Sequence, residues 1–194
     1  MDGFLSEFEL SIIMAWVLWF TGLPGCGKTT VSKLVKTMLA ETGIGVKILQ
    51  LDEIRRVITP KPTYSEEERN LVYASLAYMA KILYEANINV IVDATANRRS
   101  YRYLARDLIS NFGEVYIKAP LEVCMARESV RKADFAPRDI YKKALDSKAP
   151  VPGVGASYEP PEHPEITVDT AAMSSIDCAR FIVNEIFRLF ENDS

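Results

Sequence analysis

Cysteine and histidine are scarce in this 194-residue chain, with three of the first and one of the second. Cys26, Cys124 and Cys178 are widely separated and show no CxxC spacing. That argues against a disulfide framework or a zinc site and fits a reducing, cytoplasmic setting. The lone histidine, His163, stands among prolines and reads as surface. Charge of one sign is not in excess: 23 Lys and Arg face 26 Asp and Glu, a net −3. Nothing global therefore points to nucleic acid or a membrane as partner. The only segment resembling a membrane span, Leu10 to Phe20, is too short and lacks a basic flank. Internal repeats and composition breaks are also missing. The reading is one domain over 15–194 behind an N-terminal extension, 1–14.

What is present is Gly22-Leu23-Pro24-Gly25-Cys26-Gly27-Lys28-Thr29, which satisfies G-x-x-x-x-G-K-[ST] at every fixed position, followed by Thr30. Ala15 to Phe20 before it reads as a buried strand, and Val31, Leu34, Val35, Met38 and Leu39 after it recur at helical spacing. Strand, glycine-rich turn and helix start form the phosphate-binding loop, whose backbone N–H groups converge on phosphate oxygens. Lys28 is expected to reach the β/γ-phosphates of ATP, and Thr29 to offer its hydroxyl to Mg²⁺.

Further strands are expected at Val46–Leu51, Ile88–Val92, Glu114–Lys118 and Ile166–Val168. Helices are expected from Ser65 (a capping box with Glu68) to about Glu85, from Arg98 to Ser110, after Pro120, and from Ile176 to Phe190. Strands alternating with helices imply an α/β fold, a mainly parallel sheet covered on both faces. Pro150 to Pro164 reads as a long, constrained loop, a kind that is often functional.

Ligands of such sheets gather at the carboxyl ends of strands. This places Asp52 and Asp93 beside the phosphate loop, where an acid can hold Mg²⁺ or accept a proton from an attacking hydroxyl. Arg55, three residues after Asp52, would share its helix face and clamp an anion. Asn97 and Arg98 follow the third strand and either face substrate or begin the next helix. The basic run between 127 and 143 has the character of a lid that closes over a triphosphate. Cys26 is expected to be a small side chain that fits the loop.

Together these stretches resemble the adenylylsulfate (APS) kinase family, a P-loop kinase family, over about residues 15–190. The phosphate loop, Ala119 to Arg127, Tyr141-Lys142-Lys143-Ala144, Tyr158 to Glu165 and Asp169-Thr170 carry the likeness. The resemblance implies Mg-ATP as donor and adenosine 5′-phosphosulfate as small-molecule acceptor. It implies Asp52 in metal binding and catalysis, Arg55 and Arg69 on APS, Arg127 over the ATP adenine, and a homodimer. The chain departs from the family at Ala94-Thr95-Ala96-Asn97, where Phe-Ile-Ser-Pro is usual, and at Val151–Gly155, where Phe-Thr-Gly-Ile-Asp is usual. Two phenylalanines assigned to the acceptor's adenine are thereby lost, and Asp93 replaces a small residue.

Lys28, Asp52 and Asp93 are accordingly the expected catalytic residues, and Thr29 and Asp52 the expected metal ligands. Gly22 to Thr30 and Arg127 are expected on ATP, and Arg55, Arg69, Asn97 and Arg98 on the acceptor. Two other readings stay open: a kinase of another hydroxyl acceptor (a nucleoside, sugar or RNA-linked group), and a nucleotide-dependent switch. The switch is disfavoured because neither N-K-x-D nor L-S-G-G-Q occurs.

Overall fold

The computed structural model describes residues 15–130, 140–147 and 151–190. In chain order the elements are β1 (Val17–Thr21), α1 (Lys28–Glu41), β2 (Val46–Gln50), α2 (Leu51–Ile58), α3 (Glu66–Glu85), β3 (Asn89–Asp93) and α4 (Arg99–Leu108). They continue with β4 (Phe112–Lys118), α5 (Leu121–Val130), α6 (Ile140–Ser147), β5 (Val151–Pro152), β6 (Gly155–Ala156), β7 (Ile166–Asp169) and α7 (Ser175–Phe190). Five strands form one parallel sheet in the order β2-β3-β1-β4-β7.

β1 is apolar from Val17 to Phe20 because both of its faces are covered. Trp16, Leu18 and Phe20 point to one side, with Val31 and Val35 of α1 and Ile182 of α7. Val17 and Trp19 point to the other, with Tyr73 and Leu76 of α3 and Tyr101 of α4. Each such side chain taken fully out of water contributes roughly 1.5–3 kcal/mol. The register sets Asp93 opposite Phe20 on one side and Gln50 on the other. The carboxyl ends of β1, β2 and β3 therefore finish level, and the residues that follow them share one crevice.

Several expected boundaries move. β1 runs to Thr21, whose hydroxyl donates to the Thr95 carbonyl at 2.7 Å. β2 stops at Gln50, so Asp52 sits in the first turn of α2, where the helix dipole favours an acid. The capping box at Ser65 is half made: Ser65 accepts from the Glu68 N–H, but the Glu68 carboxylate turns elsewhere. Asn97 does not cap α4, which starts one residue later than expected. The Arg99 N–H at its start is instead met at 2.8 Å by Glu159 from the long loop. The loop itself contains β5 and β6. Of the expected lid, residues 131–139 lie outside the described residues, as does the 1–14 extension. Among the described residues no helix is long and apolar enough to cross a membrane.

Candidate active site

Two glycines of the phosphate loop, Gly22 and Gly25, have no room for a side chain. Gly25 has φ +81, and a Cβ there would collide with the Cys124 carbonyl of α5. Gly22, at φ +152, would meet the Ile117 carbonyl and the Cys26 sulfur. Lys28, only 9% exposed, donates to the Gly22 and Leu23 carbonyls at 3.0 Å each. The loop is braced from behind. The Thr170 hydroxyl donates to the Cys26 carbonyl at 2.7 Å, and Arg127 grips Thr170 through its hydroxyl and its carbonyl. The Tyr141 hydroxyl donates to the Pro24 carbonyl at 2.9 Å. Cys26 is fully buried, and desolvation pushes its thiol pKa up despite nearby Lys28, so it behaves as packing. Thr30 is exposed on α1.

Two cavities adjoin this loop. The smaller, about 110 Å³, is lined by Lys28, Thr29, Asp52, Asp93 and Thr95, among others. The larger, about 270 Å³, is lined by Asp52, Arg55, Arg69, Tyr64, Tyr73 and Lys143 together with the aliphatic Leu51, Ile140, Val151 and Pro152. Both include Pro24, Leu51, Asp52, Thr95 and Ile140, so Asp52 stands on their common wall. The first chamber is polar and adjoins the phosphate loop. The second sets the charged Asp52, Arg55, Arg69 and Lys143 against aliphatic and aromatic side chains.

In the smaller chamber the Thr29 hydroxyl donates to Asp93 at 2.6 Å. Hydroxyl and carboxylate oxygens from Thr29, Asp52 and Asp93 are hard donors, a set that suits Mg²⁺. Among the described residues no group of three or more His, Cys, Asp or Glu side chains could hold a metal by itself. Mg²⁺ is bound in that manner in phosphotransferases, by one or two carboxylates with substrate phosphates completing the shell.

In the larger chamber Arg55 is held by Glu68 at 2.8 Å and lies 5.2 Å from the centre of the Tyr64 ring. Burial opposes ionisation of Glu68. Hydrogen bonds from the Thr63 N–H and hydroxyl, Arg55 and the Tyr64 N–H outweigh it and hold the pKa down at about 2. Tyr64 itself has φ +55, an uncommon conformation for a bulky residue, and its carbonyl accepts from Arg69 at 3.1 Å. Tyr73, pushed up to about 12 by burial, accepts from the Ala96 N–H at 3.1 Å. It also stacks on Tyr101 with ring centres 4.3 Å apart.

Lys28, Thr29, Asp52, Asp93, Arg55 and Arg69 thus converge. Asn97 and Arg98 do not join them directly. They line a third cavity of about 290 Å³ with Glu66, Tyr101 and Ser157, which shares Tyr64 and Arg69 with the chamber of Arg55. There Asn97 donates to the Ser157 carbonyl at 3.0 Å, and Arg98 pairs with Glu66. Tyr64, Tyr73 and Glu68 escaped sequence reasoning as site residues. The only trace was the Ser65–Glu68 cap, which puts Tyr64 immediately before a helix. The two family phenylalanines are absent, as read from the sequence, and Tyr64 and Tyr73 are the aromatic rings that line the chamber of Arg55 and Arg69.

The Tyr158 to Glu165 signature turns out to be scaffolding. Tyr158 hydrogen-bonds the Thr21 hydroxyl at 3.0 Å, and Glu162 pairs with Arg99. Glu165 takes Arg106 in a two-bond fork at 2.7 and 2.9 Å. Beneath it Arg102, fully buried, pairs with Glu114 at 3.3 Å and donates to the Ala96, Arg98 and Glu159 carbonyls. This one guanidinium ties the loop after β3 to the long loop.

A parallel sheet with a glycine-rich loop after its central strand, a buried lysine and acids at two neighbouring strand ends defines a P-loop kinase, an ATP-dependent phosphotransferase. Within that class the chain belongs to the adenylylsulphate kinase family, whose profile matches residues 14–169. It is 37% identical to a probable adenylyl-sulfate kinase of Archaeoglobus fulgidus over 81% of this chain and 97% of that one. It is 33% identical to a second such protein, from Pyrococcus abyssi, over 88% and 94% of the two chains. Among solved structures, a Mycobacterium tuberculosis APS kinase in complex with AMPPNP and APS superposes with a TM-score of 0.79 at 26% identity. That match covers 89% of this chain and 98% of the other.

Proposed function

We propose that this protein is an adenylylsulfate kinase, transferring the γ-phosphoryl group of Mg-ATP to the 3′-hydroxyl of adenosine 5′-phosphosulfate. The observation that carries this reading is the position of Asp52 on the wall common to the phosphate-loop chamber and the chamber of Arg55 and Arg69. Lys28 exchanges its loop carbonyls for the β/γ-phosphate oxygens, and Arg127 on the far side of the loop takes the adenine end of ATP. Arg55 and Arg69 hold the phosphosulfate, and Tyr64 gives the acceptor's base a ring to stack on. Asp52 orients the acceptor hydroxyl and takes its proton. The hydroxyl oxygen bonds to the γ-phosphorus as the bond to the β–γ bridging oxygen breaks, and ADP leaves. Mg²⁺, when bound, neutralises the charge that develops on the transferring group. The few, widely spaced cysteines favour the cytoplasm as the site of action.

The test is ADP release from Mg-ATP with and without APS, with the nucleotide products separated chromatographically. Formation of 3′-phosphoadenosine 5′-phosphosulfate that Lys28→Ala abolishes is the expected result. Val151, aliphatic where the family carries phenylalanine, favours the second reading: another small hydroxyl compound as acceptor. ATP binding without that product would reject APS as acceptor and send the search to other hydroxyl compounds.

A further inference from the structure

Thr170 lies directly after β7, 6% exposed, against the back of the phosphate loop. We infer that it is a positioning residue for the nucleotide. Its hydroxyl sets the Cys26–Gly27 peptide so that the Gly27 N–H points at phosphate, and Arg127 holds that hydroxyl in place. The inference rests on the reading of the chain as an ATP-dependent phosphotransferase and does not depend on which acceptor is used.

A threonine hydroxyl has one proton to give and lone pairs to receive. Here the proton goes to the Cys26 carbonyl at 2.7 Å, which is nearer than the Lys118 carbonyl at 3.4 Å. On the accepting side stands Arg127 Nη1 at 2.9 Å, while Nη2 of the same guanidinium donates to the Thr170 carbonyl at 2.7 Å. The Thr170 N–H is anchored in turn on the carbonyl of Lys118, the last residue of β4, at 3.0 Å. The side chain is thereby fixed in direction, and its methyl group lies 3.6 Å from where a Cβ on Gly27 would stand. A charged donor polarises the hydroxyl and strengthens the bond it makes onward.

The peptide between Cys26 and Gly27 is planar and trans, so its C=O and its N–H point in opposite directions. Drawing the carbonyl back toward Thr170 turns the Gly27 N–H the other way. Gly27 is the N-cap of α1, where loop N–H groups and the helix dipole together favour a phosphate. Glycine on one side makes this peptide easy to rotate, so a hold from outside the loop has something to fix. Arg127 is also the residue read onto the adenine end of ATP. One chain of bonds therefore runs from the base side of the nucleotide to the phosphate side, through Thr170.

The test is calorimetric titration of ADP, without acceptor, into wild type, Thr170→Val and Thr170→Ser, with the Gly27 amide followed in amide NMR spectra. Thr170→Val keeps the shape and removes the hydroxyl. It is expected to bind ADP about tenfold more weakly. It is also expected to lose most of the downfield shift that ADP gives the Gly27 amide proton. Thr170→Ser is expected to restore both. Thr170→Ala carries the same comparison if the valine variant does not fold. Unchanged ADP binding in the valine or alanine variant overturns the inference. So does weakened binding with the Gly27 shift intact, which marks a loss at the adenine side alone, and so does a serine variant that restores neither. Wild type that fails to bind ADP overturns the kinase reading as well, whereas rejection of APS as acceptor leaves this result standing.

Discussion

The carboxylate of Glu68 accepts at 2.8 Å from Arg55, and it also takes the backbone N–H and hydroxyl of Thr63. Both partners are nearly out of solvent, with side chains 11% and 12% exposed. One acid on α3 therefore aims a guanidinium from α2 into the larger chamber and secures the turn that presents Tyr64.

Glu68→Gln keeps the shape and removes the charge. Because the folded chain holds the pKa at about 2, below the ordinary 4.5, ionised Glu68 stabilises the fold. That contribution is complete above pH of about 4.5 and disappears as pH falls toward 2. Denaturant titrations should show wild type more stable than Glu68→Gln at pH 6, with the two curves converging across that acidic window. A gap that does not change with pH would mean that Glu68 acts by packing alone. In steady-state assays the variant should raise KM for the acceptor more than it lowers kcat, because Arg55 loses its orientation.

Tyr64→Ala removes a ring from the acceptor chamber. Stacking of a base on an aromatic side chain contributes about 1–3 kcal/mol. KM for APS should rise by roughly ten- to a hundredfold. The affinity for ATP, measured by calorimetry, should stay at the wild-type value, and Tyr64→Phe should restore the acceptor KM.

Gly25→Ala forces a Cβ into the Cys124 carbonyl from a backbone conformation that L-residues avoid. The left-handed conformation alone costs roughly 1–2 kcal/mol, and the collision adds to it. Thermal melting should show a lower Tm, and nucleotide binding should be lost. Gly43→Ala is the control. It also has a positive φ, but a Cβ added there meets nothing within 4 Å, so it should be milder and should leave nucleotide binding intact.

Arg102→Ala leaves Glu114, 2% exposed, without its cationic partner. Burial already pushes the Glu114 pKa up against the pull of Arg102. Removing one member of a buried pair costs about 3–5 kcal/mol. Chemical denaturation should show a loss of that order. The double variant Arg102→Met with Glu114→Leu should recover part of it, since an apolar pair leaves no charge behind.

Much of this was readable from residue order. The continuous apolar run from Ala15 to Phe20 announces a buried strand, and β1 runs through it from Val17 to Thr21 with both faces covered. The phosphate loop declares itself because its chemistry demands glycine, lysine and threonine at set spacing. Asp52 and Asp93 were placed by a rule about strand ends, and the level finish of β2 and β3 brings them to one chamber. Boundaries were less legible where a distant residue intervenes. Glu159 caps α4 from 60 residues away, so Asn97 is not needed as the cap. Glu68 resembles a local capping residue, but it bonds instead to Arg55, 13 residues earlier.

Short-range spacing was therefore enough for the donor half: a strand, a turn and a helix start are contiguous in the chain, and their geometry follows from backbone chemistry. The chamber of Arg55 and Arg69 was foreseen in those two residues, but the rest of it was decided only by the folded chain. Its walls come from α2, the turn before α3, the loop after β3, α6 and β5, segments that meet because the parallel sheet and its two helical layers bring them to one edge. No local pattern encodes that meeting. The tyrosines that line the chamber, Tyr64 and Tyr73, and the deeper burial that sets Asp93 apart from Asp52, emerged from packing.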